Sequence, residues 1–441
     1  MNNSQGALRV SYHTLGCKLN FAETSTIGRL LSEKGWLRAQ PGEEPALCVV
    51  NTCSVTEMAD KKGRQLIRQL HRRHPQARIV VTGCYAQLKP GEVSSLPGVS
   101  IVLGQDKKGE IADYVAQLTQ EVSTPKVVEV KDFKELREFV PACERGDRTR
   151  YWLKVQDGCD YWCSYCTIPM ARGRSRSASV EACVEQARKV AAEDGREIVL
   201  TGINVGCFGQ ERGESLLQLI RALDEVEGIS RYRISSIEPN LLTPEIIDFV
   251  AGSRAFMPHF HVPLQSGSDE VLRLMRRRYD TALFASRMEL IRSRMPHAFI
   301  GVDIIAGARG ETPEEWQRSL EFASSLPVQQ LHVFPYSERP GTRALDIGGI
   351  VPQEEKHRRV AQLLKVSEQK YAAFMKANAG TRRPVLWEQP HAAEGVMHGF
   401  TDNYLRVEAP LAQGMINRIT PVALGEPIDS ECLSGQIITE L

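Results

Sequence analysis

Short apolar runs and polar, helix-like segments alternate along the first 120 residues of the chain. The predicted strands cover 8–14, 46–51, 78–83 and 100–104, and the predicted helices lie near 20–34 and 57–74. Strands that alternate with helices in this way predict a parallel sheet in an α/β domain. Ligands of such sheets bind at the carboxyl ends of the strands, so the residues that directly follow the strands are the first candidates for chemistry.

Three cysteines stand at such positions. Cys17, Cys53 and Cys84 lie in the segments LGCKLN, NTCSVT and TGCYAQ, each just beyond a predicted strand. Because the carboxyl ends of parallel strands meet at one edge of a sheet, we expect the three thiols to converge there. Cys48 lies inside a strand run instead, and we interpret it as a small core residue.

A second series of strands and helices extends from 149 to about 378. Its predicted strands cover 151–156, 196–202, 231–237, 259–264, 298–307 and 331–337. Six strand–helix units predict an incomplete barrel of parallel strands, since a full eight-unit barrel usually needs about 250 residues. Function again collects at the carboxyl ends of the strands in this architecture.

The two remaining segments differ in composition. Residues 121–148 mix charges and prolines without a period, which predicts a linker, and the Cys143 within it is interpreted as an incidental thiol. Residues 379–441 contain short β-like pieces between Gly, Pro and Asn, which predict a small all-β barrel. The expected domains are therefore 1–120, 149–378 and 379–441, with the linker between the first two.

The composition narrows the possible classes of function. The chain has 55 Lys and Arg against 54 Asp and Glu, and this net charge of +1 excludes a protein that wraps nucleic acid by bulk charge. It has no apolar run of about 18 residues and no secretory signal at its start, so we expect a cytoplasmic protein with no membrane partner. Eleven cysteines in a long cytosolic chain favour metal or redox chemistry over a disulfide framework.

Cys159, Cys163 and Cys166 form a tight cluster with the spacing C-x3-C-x2-C, directly after the first barrel strand. A structural zinc site needs four closing ligands, and the sequence offers no obvious fourth Cys or His nearby. A [4Fe–4S] cluster has four irons, so three thiolates leave one iron open for a substrate or cofactor. The spacing therefore favours a reactive iron–sulfur cluster, with zinc as the alternative.

The segment CDYWCSYC, from Cys159 to Cys166, resembles the C-x3-C-x-aromatic-C signature of radical S-adenosylmethionine enzymes. Further segments along nearly the whole chain resemble the methylthiotransferase family of these enzymes; they are LGCKLNFAET, NTCSVTEMA, TGCYAQ, SSIEP, PLQSGSD and FPYSERPGT. The resemblance implies an N-terminal parallel α/β domain, a partial (β/α)6 TIM-like radical SAM barrel and a C-terminal all-β TRAM barrel. It also implies a transferase of sulfur-containing groups.

Two [4Fe–4S] clusters follow from the same resemblance. The cluster that binds S-adenosylmethionine would be held by Cys159, Cys163 and Cys166. The auxiliary cluster, which carries the sulfur, would be held by Cys17, Cys53 and Cys84. The family uses S-adenosylmethionine twice, once to methylate the cluster-bound sulfur and once as the source of a radical that abstracts hydrogen from an unactivated carbon. No catalytic side chain is assigned beyond these ligands, because the cofactors carry the radical step and the protein binds and aims them.

The resemblance also suggests a pocket for S-adenosylmethionine. The cofactor-binding candidates are Tyr165, Gly202, Asn204, Glu238, Gln265 and Ser266. Tyr165 would lie against the adenine, and Glu238 would accept hydrogen bonds from ribose hydroxyls. Cys183 and Cys207 match no family ligand and are interpreted as structural. One segment departs from the family pattern G-F-P-G-E-T and leaves the shape of its loop open; it reads Gly307-Ala308-Arg309-Gly310-Glu311-Thr312.

The substrate is expected to be the anticodon stem-loop of tRNA, with an external reductant protein as a second partner. Branches of the family modify isopentenyl-adenosine in tRNA, threonylcarbamoyl-adenosine in tRNA, or an aspartate of a ribosomal protein. LGCKLNFAET and NTCSVT resemble the threonylcarbamoyl-adenosine branch, which implies methylthiolation at C2 of N6-threonylcarbamoyladenosine just 3′ of the anticodon. The alternatives are the isopentenyl-adenosine branch and a non-catalytic iron–sulfur protein that binds tRNA or carries electrons.

Local basic runs bear on how RNA is held. They occur at 71–74 and 276–278 and at Arg172, Arg174 and Arg176, where the arginines after the cysteine loop could meet phosphate. Such runs are usually solvated helix faces, so they favour RNA only weakly.

The C-terminal segment adds no overall attraction for RNA. From Gly380 to Leu441 four Arg face eight Asp and Glu, a balance of −4, so RNA would have to bind a particular face. Trp387, Phe400 and Tyr404 could stack on unpaired bases, but we expect at least two of them to be core residues.

Overall fold

The computed structural model describes residues 8–118, 127–145, 149–388 and 395–438. Two parts of the expected linker, 121–126 and 146–148, lie outside the described residues. The chain divides into two compact units. The first consists of Met1–Gly146, Trp152–Ala178 and Ser337–Thr342, and the second of Asp147–Tyr151, Ser179–Tyr336 and Arg343–Leu441. Among the described residues, no helix has the length and apolar character that crossing a membrane requires.

The first unit is built on a sheet of parallel strands. Its strands and helices are β1 (Arg9–Thr14), α1 (Lys18–Glu33), β2 (Leu37–Arg38), β3 (Leu47–Thr52), α2 (Glu57–Arg73), β4 (Arg78–Gly83), α3 (Cys84–Leu88), α4 (Pro90–Ser94), β5 (Val99–Leu103), α5 (Ile111–Leu118), β6 (Val127–Glu129), β7 (Cys143–Glu144), β8 (Tyr151–Lys154, of which Tyr151 belongs to the second unit), β9 (Gln156–Asp157), α6 (Ile168–Arg172) and β10 (Arg176–Ser177). Six of the strands form one sheet in the order β2-β1-β3-β4-β5-β6, with every pair parallel. The predicted parallel α/β domain is confirmed.

Both faces of this sheet are covered, because successive residues of a strand point to opposite sides. Leu47 and Val49 of β3 belong to one core, with side chains of α1 and α5. Cys48 and Val50 belong to another, with side chains of α2 and α3. Cys48 is fully buried there, which confirms that it is a small core residue.

The second unit contains the remaining strands and helices. They are α7 (Val180–Ala192), β11 (Glu197–Thr201), α8 (Leu216–Asp224), β12 (Arg231–Ile234), α9 (Pro244–Gly252), β13 (His259–Gln265), α10 (Asp269–Leu274), α11 (Thr281–Arg294), β14 (Phe299–Ala306), α12 (Pro313–Ser325), β15 (Gln330–Pro335), α13 (Gln353–Asn378), β16 (Arg382–Trp387), β17 (Val396–Thr401), β18 (Arg406–Pro410), β19 (Ile419–Pro427) and β20 (Cys432–Ile437). The strands β11 and β12 pair in parallel, as do β13, β14 and β15, and helices separate them. These are five of the six strands predicted for the incomplete barrel.

The last five strands close into a small barrel in the order β16-β17-β18-β20-β19, as the sequence predicts. Its core contains Trp387, Val407 and Leu433, all fully buried. Phe374 and Met375 of α13 pack into the same core, so the long helix and the barrel share one apolar interior.

Charged side chains of β12 also reach this C-terminal barrel. Arg233 Nε donates to Glu197 Oε1 at 2.8 Å, and its Nη1 donates to the carbonyl oxygen of Asp402 at 2.8 Å. Arg231 Nη1 donates to the carbonyl oxygen of Phe400 at 2.8 Å. Two arginines and one carboxylate, all buried, therefore join β11 and β12 to the backbone of the small barrel.

Candidate functional site

The first three candidate cysteines follow neighbouring strands of the parallel sheet. In the register of β1, β3 and β4, Thr14 faces Asn51 and Asn51 faces Thr82. Cys17 caps the start of α1 after β1, Cys53 follows β3, and Cys84 begins α3 directly after β4. The three residues therefore leave the sheet side by side at its carboxyl edge, as the sequence predicts. We call this group the sheet-edge cysteines.

Two buried asparagines fix the backbone that carries these residues. Asn20 Nδ2 donates to the carbonyl oxygens of Leu15 at 2.7 Å and Thr52 at 3.0 Å, and so joins the loops before Cys17 and Cys53. Asn51 Nδ2 in turn donates to the carbonyl oxygen of Asn20 at 2.9 Å.

The two loops also approach each other too closely for a side chain at position 16. Gly16 has a φ of 104°, in the region that favours glycine, and a Cβ there would lie 2.6 Å from Cys53 Cβ. The sequence LGC is therefore a packing requirement of the cysteine edge.

The sheet-edge cysteines lie within electrostatic reach of one another. Burial, together with the neighbouring Cys84 and Cys17, raises the pKa of the Cys53 thiol to about 12. Burial also raises the pKa of Cys84, while Arg172 and Lys108 lower it and Cys17 raises it. Thiols in such surroundings stay protonated until a metal displaces the proton, since the thiolate is the form that binds metal.

The second group, Cys159, Cys163 and Cys166, lies in a loop that a short antiparallel pair closes. We call it the loop cysteines. The strand β9 pairs with β10, and Gln156 Nε2 donates to the carbonyl oxygen of Gly158 at 2.7 Å. A turn bond joins Cys166 N to the carbonyl oxygen of Cys163 at 3.0 Å, and Ile168 N donates to Cys166 Sγ at 3.4 Å. All three cysteines, and Tyr165 among them, are half-buried.

The loops of the two groups touch within the first unit. Thr167 Oγ1, next to Cys166, lies 3.5 Å from the carbonyl oxygen of Ser54, next to Cys53. Ser54 Oγ also accepts a hydrogen bond from Arg339 Nη2 at 2.9 Å. Arg339 and Ser54 both hydrogen-bond the buried side chain of Asp60, which holds the contact between the two loops in place.

A network of buried charges lies beneath both groups, and we call it the buried charge cluster. Its members are Glu23, Lys108, Lys154, Asp157, Arg172 and Arg176. Arg172 Nη1 lies 3.1 Å from Glu23 Oε1 and 2.9 Å from Asp157 Oδ1. Burial alone raises the pKa of Glu23, but Arg172, Lys108 and Lys154 outweigh it and hold that pKa well below its ordinary value.

This network corrects one expectation. The sequence allows Arg172 and Arg176 to meet phosphate, but the structure buries both in ion pairs, because Glu23 and Asp157 pair with them inside the unit. Arg174 between them is exposed.

Sequence reasoning missed Glu23, which pairs with both Arg172 and Lys154. Its signal is an acid on the apolar stripe of α1, spaced with Asn20 and Ile27 on the buried face.

Gln105 was also missed. It follows β5, and its Nε2 donates to Cys84 Sγ at 3.6 Å. A polar residue directly after a strand of the same sheet was the available signal.

In the second unit, the remaining cofactor candidates follow β11, β12 and β13. Gly202 is half-buried, and Asn204 is buried with its Nδ2 3.2 Å from Cys207 Sγ. The carboxylate of Glu238 pairs with Arg277, and burial raises its pKa although Arg277 lowers it.

Gln265 and Ser266 lie where the register of β13 shifts. Gln265 has a φ of 65°, and its buried Oε1 has no hydrogen-bond partner among the described residues. Ser266 is fully buried and accepts a hydrogen bond from Ser268 N at 3.2 Å. A buried acceptor without a partner suits a polar ligand, because an unpaired polar atom is costly inside a protein.

The segment that departs from the family pattern follows β14. Arg309 Nη1 donates to the carbonyl oxygens of Leu345 at 2.7 Å and Ile347 at 3.2 Å. Glu311 Oε2 accepts from Gly307 N and from Arg359 Nη1, both at 2.7 Å. The replaced residue Arg309 is therefore itself a structural anchor of the loop.

A cavity of about 1050 Å³ lies in the second unit beside the small barrel. Its lining includes Arg150, Phe334, Phe400 and Tyr404. The guanidinium of Arg150 lies 4.6 Å from the ring centre of Phe400, which stacks on Tyr404 at 5.0 Å. Trp387 is fully buried and is a core residue, while Phe400 and Tyr404 line the cavity.

In the part of the chain that the structure describes, no group of three His, Cys, Asp or Glu side chains is arranged to hold a single metal ion. Thiolates around one zinc lie within about 4 Å of each other, because each Zn–S bond is about 2.3 Å long. A four-iron cluster is larger and spreads its ligands farther apart. All eleven cysteines are free thiols.

Family models match both parts of the site. Residues 9–104 match the uncharacterized protein family UPF0004, and residues 153–323 match the Radical SAM superfamily. A radical SAM domain implies S-adenosylmethionine and a [4Fe–4S] cluster. The second match shows that the chain contains the domain of a radical SAM enzyme.

Its family follows from its relatives. The chain is 37% identical to the threonylcarbamoyladenosine tRNA methylthiotransferase MtaB of Bacillus subtilis, over 94% of this chain and 93% of the relative. It is 30% identical to a tRNA-2-methylthio-N(6)-dimethylallyladenosine synthase of Desulfitobacterium hafniense, over 93% of each chain. The chain belongs to the tRNA methylthiotransferase family.

Solved structures agree with the fold. The radical S-adenosylmethionine methyltransferase TsrM from Kitasatospora setae superposes with a TM-score of 0.56 at 15% identity. The match covers 89% of this chain and 80% of that chain.

Proposed function

We propose that the chain adds a methylthio group to C2 of N6-threonylcarbamoyladenosine in tRNA, just 3′ of the anticodon. It uses two molecules of S-adenosylmethionine and two [4Fe–4S] clusters. The observation that carries the proposal is the presence of two groups of three cysteines in one compact unit, on loops that touch. Three thiolates on a four-iron cluster leave one iron open, so each group suits a reactive cluster.

The loop cysteines hold the cluster that binds S-adenosylmethionine, and the sheet-edge cysteines hold the auxiliary cluster. When bound, one cluster would supply the electron that cleaves S-adenosylmethionine and the other would supply the sulfur, while the protein binds and orients them. Two features of the chain suit an auxiliary cluster. Gln105 donates to Cys84 Sγ, and although burial raises the pKa of Cys84, Arg172 and Lys108 of the buried charge cluster oppose that rise.

The six candidate residues for S-adenosylmethionine keep the roles that the family resemblance implies. Tyr165 contacts the adenine, Gly202 and Asn204 meet the methionine end, and Glu238 accepts from the ribose. Gln265 and Ser266 line the same pocket. The buried Gln265 Oε1, which has no partner among the described residues, supports this role because a bound ligand would satisfy it.

The choice of substrate rests on the relatives. Identity is higher to the threonylcarbamoyladenosine methylthiotransferase than to the dimethylallyladenosine synthase, at 37% against 30% over similar lengths. The segments LGCKLNFAET and NTCSVT favour the same branch.

The anticodon stem-loop contacts the cavity beside the small barrel. Phe334 is 47% exposed at its lining and offers an aromatic ring on which an unpaired base can stack. Phe334→Ala should weaken tRNA binding by about 1–3 kcal/mol, the usual worth of one stacked base. Ile350→Ala, at an exposed residue outside the lining, is the control in a fluorescence anisotropy titration with labelled tRNA. Equal affinities of the two variants would contradict this contact.

An external protein supplies the electrons that cleave S-adenosylmethionine, and the reaction takes place in the cytoplasm. The free thiols of all eleven cysteines agree with a reducing compartment.

The proposal is tested with protein reconstituted with iron and sulfide under anaerobic conditions. Wild type should hold about eight irons per chain, and Cys84→Ala and Cys163→Ala should each hold about half of that. Cys183→Ala, at a buried cysteine of α7, is the matched control and should keep the full content. Mass spectrometry of nucleosides from tRNA incubated with each protein should show the methylthio product with wild type and Cys183→Ala alone.

Three results would overturn parts of the proposal. A product on isopentenyl-adenosine instead would refute the choice of substrate. Full iron content in Cys84→Ala would refute the auxiliary cluster. Cleavage of S-adenosylmethionine by Cys163→Ala at the wild-type rate would refute the assignment of the loop cysteines.

A further inference from the structure

Arg172 connects the segments that carry the two groups of cysteines. It is the last residue of α6, six residues after Cys166, and is fully buried. Its Nη2 donates to Asn20 Oδ1 at 2.6 Å, and Asn20 joins the loops before Cys17 and Cys53. Its Nη1 bonds Asp157, two residues before Cys159. One guanidinium therefore fastens the sheet-edge cysteines to the loop cysteines.

The surroundings of Arg172 carry more positive than negative charge. The buried charge cluster contains four cations, Lys108, Lys154, Arg172 and Arg176, and two carboxylates, which leaves an excess of two positive charges. Burial lowers the pKa of Lys108, Glu23 raises it, and Arg172 and Lys154 lower it further. A buried charge needs a counter-charge, and the sheet-edge cysteines supply one when they are thiolates.

Arg172 also keeps a free donor. Its Nε is buried and has no hydrogen-bond partner among the described residues, although both of its Nη atoms are engaged. The same side chain bonds Asn20, which joins the loops that carry Cys17 and Cys53. An unpaired buried N–H on a residue fastened to these loops suits a hydrogen bond to the sulfur of a cluster bound there.

We propose that Arg172 is a positioning residue that sets the reduction potential of the auxiliary cluster through its charge and its free Nε–H. This inference rests on the proposed function, because it requires a cluster on the sheet-edge cysteines. Reduction adds one negative charge to the cluster, and a buried cation beside it stabilises the reduced state. Net charge and hydrogen bonds to the sulfurs are the usual determinants of such potentials.

The test uses the full chain with the loop cysteines replaced, Cys159→Ala/Cys163→Ala/Cys166→Ala, so that only the auxiliary cluster assembles. Its midpoint potential is measured by a redox titration followed by electron paramagnetic resonance, and iron per chain is measured beside it. In this background Arg172→Met should shift the midpoint to more negative values. Glu23→Gln, which removes a carboxylate from the same cluster, should shift it to more positive values.

Two further variants separate charge from structure. Arg172→Lys keeps the charge but loses Nε and the planar fork, so its midpoint should fall between wild type and Arg172→Met. Arg174→Met, at the exposed arginine two residues on, is the matched control and should leave the midpoint unchanged.

A purely structural role would lower the iron content of the variants without opposite shifts in potential. Equal midpoint potentials for Arg172→Met, Glu23→Gln and Arg174→Met would overturn the inference. A shift of the midpoint potential in the same direction for Arg172→Met and Glu23→Gln would overturn it as well. If Arg172→Met fails to assemble the cluster, Glu23→Gln and Arg172→Lys still show the direction in which the midpoint potential shifts. If no cluster assembles even with Arg172 present, the auxiliary cluster of the proposed function is itself refuted.

Discussion

Replacement of Glu197 by glutamine should destabilise the second unit strongly. Glu197 lies in β11 with no exposed surface, between the guanidinium groups of Arg231 and Arg233. Burial alone raises the pKa of Glu197, but Arg233, Arg150 and Arg231 hold it below its ordinary value. Glutamine keeps the shape of the side chain and removes the charge, so the variant isolates the electrostatic part.

The size of the expected loss of stability follows from the two arginine charges that stay buried in Glu197→Gln. Arg231 and Arg233 are only 2% and 1% exposed, and their bonds to backbone carbonyls of the small barrel keep them in place. Removing one partner of a buried ion pair costs about 3–5 kcal/mol, because the other charge remains without compensation. Glu185→Gln is the control, since Glu185 and Lys189 form an exposed ion pair on α7, and exposed pairs contribute little to stability.

Urea unfolding measures the free energy of unfolding of both variants. The loss of stability is obtained from the change in the urea midpoint, provided that the slope stays constant. Because a chain of two units can unfold in more than one step, hydrogen-exchange mass spectrometry locates the change. Faster exchange should appear in β11, β12 and β17, which the two arginines join. If Glu197→Gln shifted the midpoint no further than Glu185→Gln, the reasoning from buried charge would be refuted.

Three further predictions follow. The stability difference between wild type and Glu197→Gln should shrink when the pH falls from about 7 to about 3. The carboxyl pKa is lowered in the folded protein, so its contribution to stability is full above the unfolded-state pKa and is lost as the pH falls through the folded-state pKa. A constant difference in urea midpoint would contradict this. Gly16→Ala should lower the iron content of reconstituted protein, because the new Cβ meets Cys53, whereas Gly35→Ala has a similar positive φ and open space around it and should keep the iron; equal contents would show that the clash is unimportant. Trp387→Ala should cost about 3–5 kcal/mol in the same urea assay, because the ring fills the core of the small barrel, and a loss below about 1 kcal/mol would mean that the core collapses around the gap.

Much of the candidate site could be predicted from the sequence, because the patterns that indicate it are local. A cysteine directly after a strand and a C-x3-C-x2-C loop are patterns within a few residues, and parallel strands bring the first kind to one edge. The alternation of strands and helices likewise predicted the parallel sheet and the incomplete barrel, and short β-like pieces between turn residues predicted the small C-terminal barrel. The domain bounds at 120, 148 and 378 stay predictions.

The charges were harder to interpret, because a residue's type does not tell whether it is paired. Arg172 and Arg176 look like a basic run that meets phosphate, yet the fold buries them against Glu23 and Asp157. Glu23 comes from a segment more than a hundred residues away along the chain, so no local pattern could pair it with Arg172. Arg231 and Arg233 show the same limit, since their partners include backbone carbonyls of the distant small barrel.

The sequence by itself determined the order of elements and the two groups of cysteines, because strand alternation and ligand spacing are properties of neighbouring residues. Only the tertiary structure decided which charges are buried together and where donors such as Arg172 Nε are left unpaired. The physical reason is that pairing and burial depend on residues distant along the chain, and the energy of a charge depends on those surroundings more than on its type.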